Sequence, residues 1–236
     1  MTSDPQPRLE MCLIGAPGAH KTHLAEAFEE QSRDFFREND LAPLAVVDTN
    51  HLLSQKQGRV SGYRGDHYST LANYFNRAAM EDVIRARGDS FISVGCLIDA
   101  LAHLNVRMSM LSRMVQTEES EAMMQREFLV GNLIQTYFMD GRWRVNFCWY
   151  VPLPEKIVVP GQDADTYPGQ VDAVIRDINL KMQLGIPVLD GTDEEKVAKM
   201  LEDLRTNYTG QKLSELEEME QVVLGVENAA GVNESE

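Results

Sequence analysis

The chain has 236 residues, of which 43% are hydrophobic, and a formal net charge of −15. That length and composition suffice for one large α/β domain with a full core. An acidic surface repels phosphate backbones, which argues against stable wrapping of nucleic acid. We find no run of about 18 apolar residues and no basic, apolar leader at Met1–Pro5. We therefore expect no membrane span and no signal peptide.

The chain contains three cysteines, Cys12, Cys96 and Cys148, and each is predicted to lie in a buried strand. Their spacing fits no metal-binding motif. So few cysteines predict a reduced, cytoplasmic setting in which the thiols are structural.

A glycine-rich turn lies near the N-terminus, between a predicted strand at 9–14 and a predicted helix at 22–38. It reads Gly15-Ala16-Pro17-Gly18-Ala19-His20-Lys21-Thr22. Strand, turn and helix together are typical of the phosphate-binding P-loop, G-x-x-x-x-G-K-[ST], except that His20 replaces the last glycine. Histidine is among the non-glycine residues that tolerate a left-handed backbone, so the interpretation survives this departure.

The eight residues from Gly15 to Thr22 are predicted to bind the phosphates of ATP or GTP. Successive backbone N–H groups and the positive end of the following helix suit a polyphosphate. Lys21 would reach the β- and γ-phosphates, and the hydroxyl of Thr22 would bind Mg²⁺. Two alternatives remain open, namely a chance glycine–lysine turn and a P-loop fold without turnover.

The later elements alternate between strands and helices. Strands are predicted at 44–47, 91–94, 145–151 and 186–189; helices at 69–87, 96–139 with a break near 116–120, 171–184 and 193–206. Short β-branched runs separated by helices predict a parallel sheet with crossover helices. The expected fold is an α/β three-layer sandwich with five parallel strands and a helical insert after strand three. The carboxyl ends of its strands should form one cleft.

The predicted domain spans residues 9–212, with a flexible N-terminus at 1–8 and a helical lid at about 103–142. After Lys212 the chain has seven Glu and neither Lys nor Arg. This charge run predicts an acidic helix and a disordered tail over 213–236.

The P-loop and this order of elements resemble the P-loop kinases of nucleotides and other small acceptors. The segment Gly185-Ile186-Pro187 with the turn Gly191-Thr192 is similar to the end of such kinases, near the adenine. A strand that ends at Asp48 resembles polynucleotide-kinase-type and shikimate-kinase-type relatives, where an acid there serves the acceptor hydroxyl or the metal. Strand three lacks a Walker B aspartate, which argues against AAA-type motors.

The resemblance implies ATP or GTP with Mg²⁺ as cofactors. It implies Lys21, Asp48 and Arg107 as catalytic residues, Thr22 and Asp48 as metal ligands, and Arg59, Tyr63 and Arg64 as substrate-binding residues. Asp99 is the fallback carboxylate, and Asp48 has a second interpretation as a turn cap. Other arginines that could offset charge, each also readable as a solvated surface residue, are Arg113, Arg126, Arg142 and Arg144.

Two functions follow from these predictions. The first is an ATP-dependent phosphotransferase acting on a nucleoside, a nucleotide or a nucleic-acid end. The second is an NTP-binding regulatory or assembly protein with little turnover, whose acidic tail docks a partner. A small-molecule acceptor, a nucleic-acid-end acceptor and a homo-oligomer all remain open.

Overall fold

The computed structural model describes residues 6–48, 67–113, 118–139, 145–154 and 166–208. Its strands are β1 (Glu10–Ile14), β2 (Leu44–Val47), β3 (Ser90–Val94) and β4 (Phe147–Tyr150). Its helices are α1 (Lys21–Glu38), α2 (His67–Arg87), α3 (Leu97–Ser112), α4 (Glu118–Met139), α5 (Tyr167–Lys181) and α6 (193–208). The chain divides into two compact units, residues 1–197 and residues 198 onward.

The sheet is parallel and has the strand order β2-β3-β1-β4. Strand β1 therefore lies at the centre, between β3 and β4. Its apolar residues and those of β3 are buried on both faces, as a parallel strand covered by helices requires.

The predicted fifth strand is not confirmed, because the described residues hold a four-stranded sheet. At 186–189 the chain makes a single parallel bridge, between Tyr150 and Val188. The N–H of Tyr150 donates to Pro187 at 2.9 Å, and the N–H of Leu189 donates to Tyr150 at 2.8 Å. Pro187 has no N–H with which to extend this ladder, so the pairing stays short.

Helices cover both faces of the sheet. On one face, the ring of Phe28 in α1 lies 5.8 Å from that of Trp149 in β4. Alternate strand residues point to the opposite face. There the core contains residues of β1, β4, α3 and α5, among them Cys12, Ile14, Tyr150, Ile98, Ala102, Val171 and Ile175. The sheet thus lies between two helical layers, in agreement with the predicted α/β architecture.

The three cysteines lie together on the α3 and α5 face. Cys12 and Cys148 are register partners in β1 and β4. Placing Cys96 in a strand was wrong: it precedes α3, and its Sγ accepts from the N–H of Ile98 at 3.3 Å. Burial raises the pKa of the Cys12 and Cys96 thiols, so both stay protonated at neutral pH. Within the described ranges, no group of three or more His, Cys, Asp or Glu side chains could hold a metal ion.

Two helices occupy much of the predicted lid segment: α3 ends at Ser112, and α4 begins at Glu118 and packs against α3.

No helix in the described part of the chain is both long and apolar enough to cross a bilayer. In the second unit, α6 buries Met200, Leu204 and Tyr208 at a helical spacing of four residues.

Candidate phosphate-binding site

The carboxyl ends of the four strands meet at one edge of the sheet. The turn from Gly15 follows β1, Asp48 follows β2, Gly95 follows β3, and Val151 follows β4. The N–H of Gly95 donates to Leu13 at 2.7 Å, and that of Val151 donates to Ile14 at 2.8 Å. These bonds hold the neighbouring strand ends on either side of the glycine-rich turn.

The turn folds despite the missing glycine. His20 adopts the left-handed conformation, with φ 55° and ψ 27°, and α1 begins at the next residue, Lys21. Gly15 is needed for a different reason. A Cβ at this position would overlap the carbonyl oxygen of Val151, so only glycine lets β1 pass so close to the end of β4.

We expect His20→Gly to raise the free energy of unfolding by about 0.5–1 kcal/mol, because a left-handed backbone strains any residue with a Cβ. No side-chain hydrogen bond caps α1 at His20, so none is lost. His20→Val should lower it by about 1 kcal/mol, since a β-branched residue fits this conformation worst. Urea unfolding measures both changes. Gln183→Gly is the matched control, because Gln183 also has a left-handed backbone, with φ 50°, and lies outside the turn. Equal stability of the His20→Gly and His20→Val variants would contradict the strain.

Lys21 bridges the turn from inside. Its ammonium donates to the carbonyl oxygens of Gly15 and, at 3.1 Å, Ala16. It also lies 3.8 Å from Oδ1 of Asp99, and both side chains are largely buried. An ammonium has three N–H donors and the two carbonyls accept two of them. The positive charge is therefore held against the backbone that a phosphate would approach.

A hydroxyl and a carboxylate meet beside this turn. Thr22, in the first turn of α1, donates its Oγ1 hydrogen to Oδ2 of Asp48 at 2.6 Å. Mg²⁺ prefers oxygen ligands, and proteins usually supply one or two of them beside the phosphate oxygens. The pair therefore fits the magnesium ligands that the sequence predicts at Thr22 and Asp48.

Two charged side chains, those of Arg77 and Asp99, lie near the end of β3. Gly95 has φ 92°, and a Cβ built on it would lie 3.1 Å from Nη1 of Arg77 and 3.5 Å from Oδ2 of Asp99. Arg77 is buried and belongs to α2. It is not among the residues predicted from the sequence, although it interrupts the apolar face of the predicted helix between Tyr74 and Ala78.

A polar stripe runs along α3, where Asp99, His103 and Arg107 follow one another at four-residue spacing. The hydroxyl of Tyr167, at the start of α5, lies 2.8 Å from Nδ1 of His103. Burial is the main cause that lowers the pKa of His103 to about 4; the charge of Asp99 opposes this shift, and the charges of Lys21 and Arg107 contribute to it. Arg107, a predicted catalytic residue, thus lies on the face of α3 that carries Asp99. In the sequence, only the four-residue spacing from Asp99 could have indicated His103, and no feature could have indicated Tyr167.

The shifted pKa of His103 predicts a pH-dependent stability. An unfolded His titrates near pH 6.5 and the native one near pH 4, so between these values the unfolded chain binds more protons. Stability should therefore rise from about pH 4 to about 6.5 and be lost as the pH falls, by up to about 3 kcal/mol from this group. Urea unfolding across this range should show a shallower dependence for His103→Gln. Tyr167→Phe is the control, since it keeps the imidazole; equal slopes for wild type and His103→Gln would contradict the prediction.

A second buried carboxylate holds the chain after β4. Oδ1 of Asp172 accepts from the hydroxyl of Tyr150 at 2.7 Å and from the N–H of Leu153 at 3.2 Å. Arg176 donates to the other carboxylate oxygen at 3.0 Å. Burial and the hydrogen bond to Asp172 raise the pKa of Tyr150. This cluster holds the segment that follows β4 to α5.

No family model and no curated protein matches the chain. Among solved structures, it is similar to thymidylate kinase from Candida albicans, at 14% identity and a TM-score of 0.54, over 87% of this chain and 94% of that one. It is also similar to deoxyadenosine kinase from M. mycoides with dCMP and a flexible dCDP, at 10% identity and a TM-score of 0.52, over 84% and 99%. The same enzyme with bound dATP gives 11% identity and a TM-score of 0.51, over 84% and 100%. The chain has a P-loop kinase-like fold.

The P-loop kinase-like fold brings Lys21, Thr22 and Asp48 together at the head of α1. It places Asp99 beneath the turn, where its carboxylate accepts backbone hydrogen bonds. The predicted substrate-binding residues Arg59, Tyr63 and Arg64 lie outside the described residues, as do Arg142, Arg144 and the acidic tail. Their roles and the limits of the predicted domain stay predictions.

Proposed function

We propose that this protein is an ATP-dependent phosphotransferase whose acceptor is a nucleoside, a nucleotide or a nucleic-acid end. One observation carries the proposal: Oγ1 of Thr22, the residue next to Lys21, lies 2.6 Å from Oδ2 of Asp48. A hydroxyl, a carboxylate and an ammonium at the head of one helix are the groups that phosphoryl transfer requires for positioning and charge neutralisation. The P-loop kinase-like fold supports the same conclusion.

The donor phosphates would lie over the turn from Gly15 to Thr22. Backbone N–H groups and the N-terminus of α1 supply partial positive charge there. Lys21 adds a full charge, which is held by the carbonyls of Gly15 and Ala16. Mg²⁺, when bound by Thr22 and Asp48, would neutralise charge on the phosphate oxygens.

Asp48 has two compatible tasks. As a metal ligand, it would hold Mg²⁺ with Thr22. As a base, it would accept the acceptor's hydroxyl proton while the acceptor oxygen bonds to the γ-phosphorus and the bond from that phosphorus to ADP breaks. The positive charges of Arg77, which is buried, and of Arg107, which is partly buried, would offset negative charge on the acceptor.

The acceptors to test first are deoxynucleosides and their monophosphates. The similar solved structures include a thymidylate kinase and a deoxyadenosine kinase. The net charge of −15 favours a small acceptor over a long nucleic acid, since an acidic surface repels a polyanion.

A second candidate is an NTP-binding regulatory protein with little turnover. The end of β3 favours this candidate, because Gly95 stands where a Walker B aspartate would lie. The nearby carboxylate of Asp99 already accepts hydrogen bonds from two backbone N–H groups. Such a protein would bind ATP or GTP through the same turn without an efficient transfer step.

A transfer screen separates the two candidates. ATP labelled at the γ-phosphate is incubated with Mg²⁺ and, in turn, with deoxynucleosides, their monophosphates and 5′-hydroxyl oligonucleotides. Labelled product from any one class supports the phosphotransferase. Nucleotide binding in calorimetry without transfer to any class favours the regulatory protein, and absence of ATP and GTP binding would exclude both.

A further inference from the structure

Asp99 makes contacts that neither a metal ligand nor a catalytic base needs. It lies in the first turn of α3 and is 7% exposed. Its Oδ1 accepts from the N–H of Gly15 at 2.9 Å, and its Oδ2 accepts from the N–H of Cys96 at 2.7 Å. Each carboxylate oxygen thus accepts from a different backbone segment.

These bonds join the P-loop to the strand beside it. The parallel ladder between β1 and β3 ends where the N–H of Gly95 donates to Leu13 at 2.7 Å. Beyond that point, Gly15 starts the P-loop and Cys96 leads into α3, and no strand pairing connects them. The carboxylate of Asp99 spans this gap.

The bond to Gly15 also separates two interpretations. A hydrogen bond from Cys96 alone would be ordinary helix capping, because Cys96 precedes α3 and Asp99 is the third residue of that helix. Gly15 is 84 residues away in sequence, so its N–H has no part in capping α3.

Gly15 connects Asp99 to Lys21. Its N–H donates to Asp99, and its carbonyl oxygen accepts from the ammonium of Lys21. The ammonium also lies 3.8 Å from Oδ1 of Asp99. Opposite charges that are both largely buried attract more strongly than in water, so the carboxylate holds the ammonium directly and through the backbone of Gly15.

We propose that Asp99 is a positioning residue of the P-loop, which fixes Gly15 and holds the Lys21 ammonium where the β- and γ-phosphates bind. The inference rests on the proposed function, because it assigns Lys21 to the phosphates. Asp99 itself touches no reacting atom in this proposal.

Amide hydrogen exchange, followed by NMR without nucleotide, tests the first half. Asp99→Asn keeps one acceptor oxygen, so either Gly15 or Cys96 must lose its acceptor, and that amide should exchange at least about 10-fold faster. The Gly95 amide is the internal control, since it donates to Leu13. Asp172→Asn is the matched variant, because it alters another buried carboxylate that accepts a backbone N–H; it should leave Gly15 unchanged.

Nucleotide affinity tests the second half. Asp99→Asn should weaken MgATP binding about 10- to 100-fold in calorimetry, the range expected for losing a charge-assisted hydrogen bond. Asp99→Glu keeps two carboxylate oxygens and should recover part of the affinity, which a purely structural loss would not allow. Asp172→Asn should bind MgATP as the wild type does.

Several outcomes would overturn the inference. Unchanged exchange at both Gly15 and Cys96 in Asp99→Asn would show that the carboxylate does not hold the loop. Faster exchange with wild-type affinity would show that the hold does not position Lys21. If Asp99→Asn does not fold, a Gly15 amide in the wild type that exchanges at the rate of an unfolded chain would be equally decisive. Failure of the wild type to bind any nucleotide would instead overturn the proposed function, while the exchange data would still decide whether Asp99 holds the loop.

Discussion

Replacing Lys21 by alanine should lower kcat/KM for phosphoryl transfer by about 10²- to 10³-fold, with nucleotide affinity also reduced. Removing one well-placed group that stabilises developing charge typically has an effect of this size. The ammonium supplies a full charge inside the P-loop, where the carbonyls of Gly15 and Ala16 hold it. Steady-state kinetics with the acceptor found in the screen, together with calorimetry of ATP, measure the two losses.

The chain offers a matched control in Lys196. Its side chain is 10% exposed and lies 3.5 Å from Asp193, whereas that of Lys21 is 12% exposed and lies 3.8 Å from Asp99. Lys196→Ala therefore removes a similarly buried, similarly paired ammonium outside the P-loop. We expect near-wild-type ATP affinity for it; equal losses in both variants would mean that Lys21 acts through stability alone.

Asp48→Asn should reduce the rate of transfer by about 10²- to 10⁴-fold, the usual contribution of a positioned acid or base. The amide can neither accept the acceptor's proton nor bind Mg²⁺ with a negative charge. The ATP affinity measured without Mg²⁺ should change little, because Asp48 does not contact the backbone of the P-loop in our proposal. A wild-type rate in Asp48→Asn would leave Asp48 as a turn cap.

A double-mutant cycle with Thr22→Val separates the two tasks of Asp48. If both residues act through Mg²⁺, removing the second ligand after the first should add little, and the effects will not sum. If Asp48 also acts on the acceptor proton, Asp48→Asn should still lower the rate in the Thr22→Val background, so that the double variant is slower than either single variant. Thr22→Ser is the control, because it keeps the hydroxyl that donates to Asp48 at 2.6 Å.

Residues close together in sequence determined the P-loop and most of the secondary structure. The helix that follows His20 begins at Lys21, as the motif requires, because backbone angles and capping depend on neighbouring residues. The strands were found from short β-branched runs, and β2 has the bounds predicted for it. The fifth strand is not confirmed, because Pro187 cannot donate to a ladder and the pairing with Tyr150 stays at a single bridge.

Only the tertiary structure decided which side chains surround the P-loop. Asp99 meets Gly15 across 84 residues, and His103 meets Tyr167 across 64. Such contacts depend on the order of the strands and on how each helix docks against the sheet. Spacing along the chain encodes neither. The sequence by itself therefore indicated Lys21, Thr22 and Asp48 as candidates, whereas the contact of Asp99 with Gly15 and the position of Arg77 beside Gly95 depend on the folded chain.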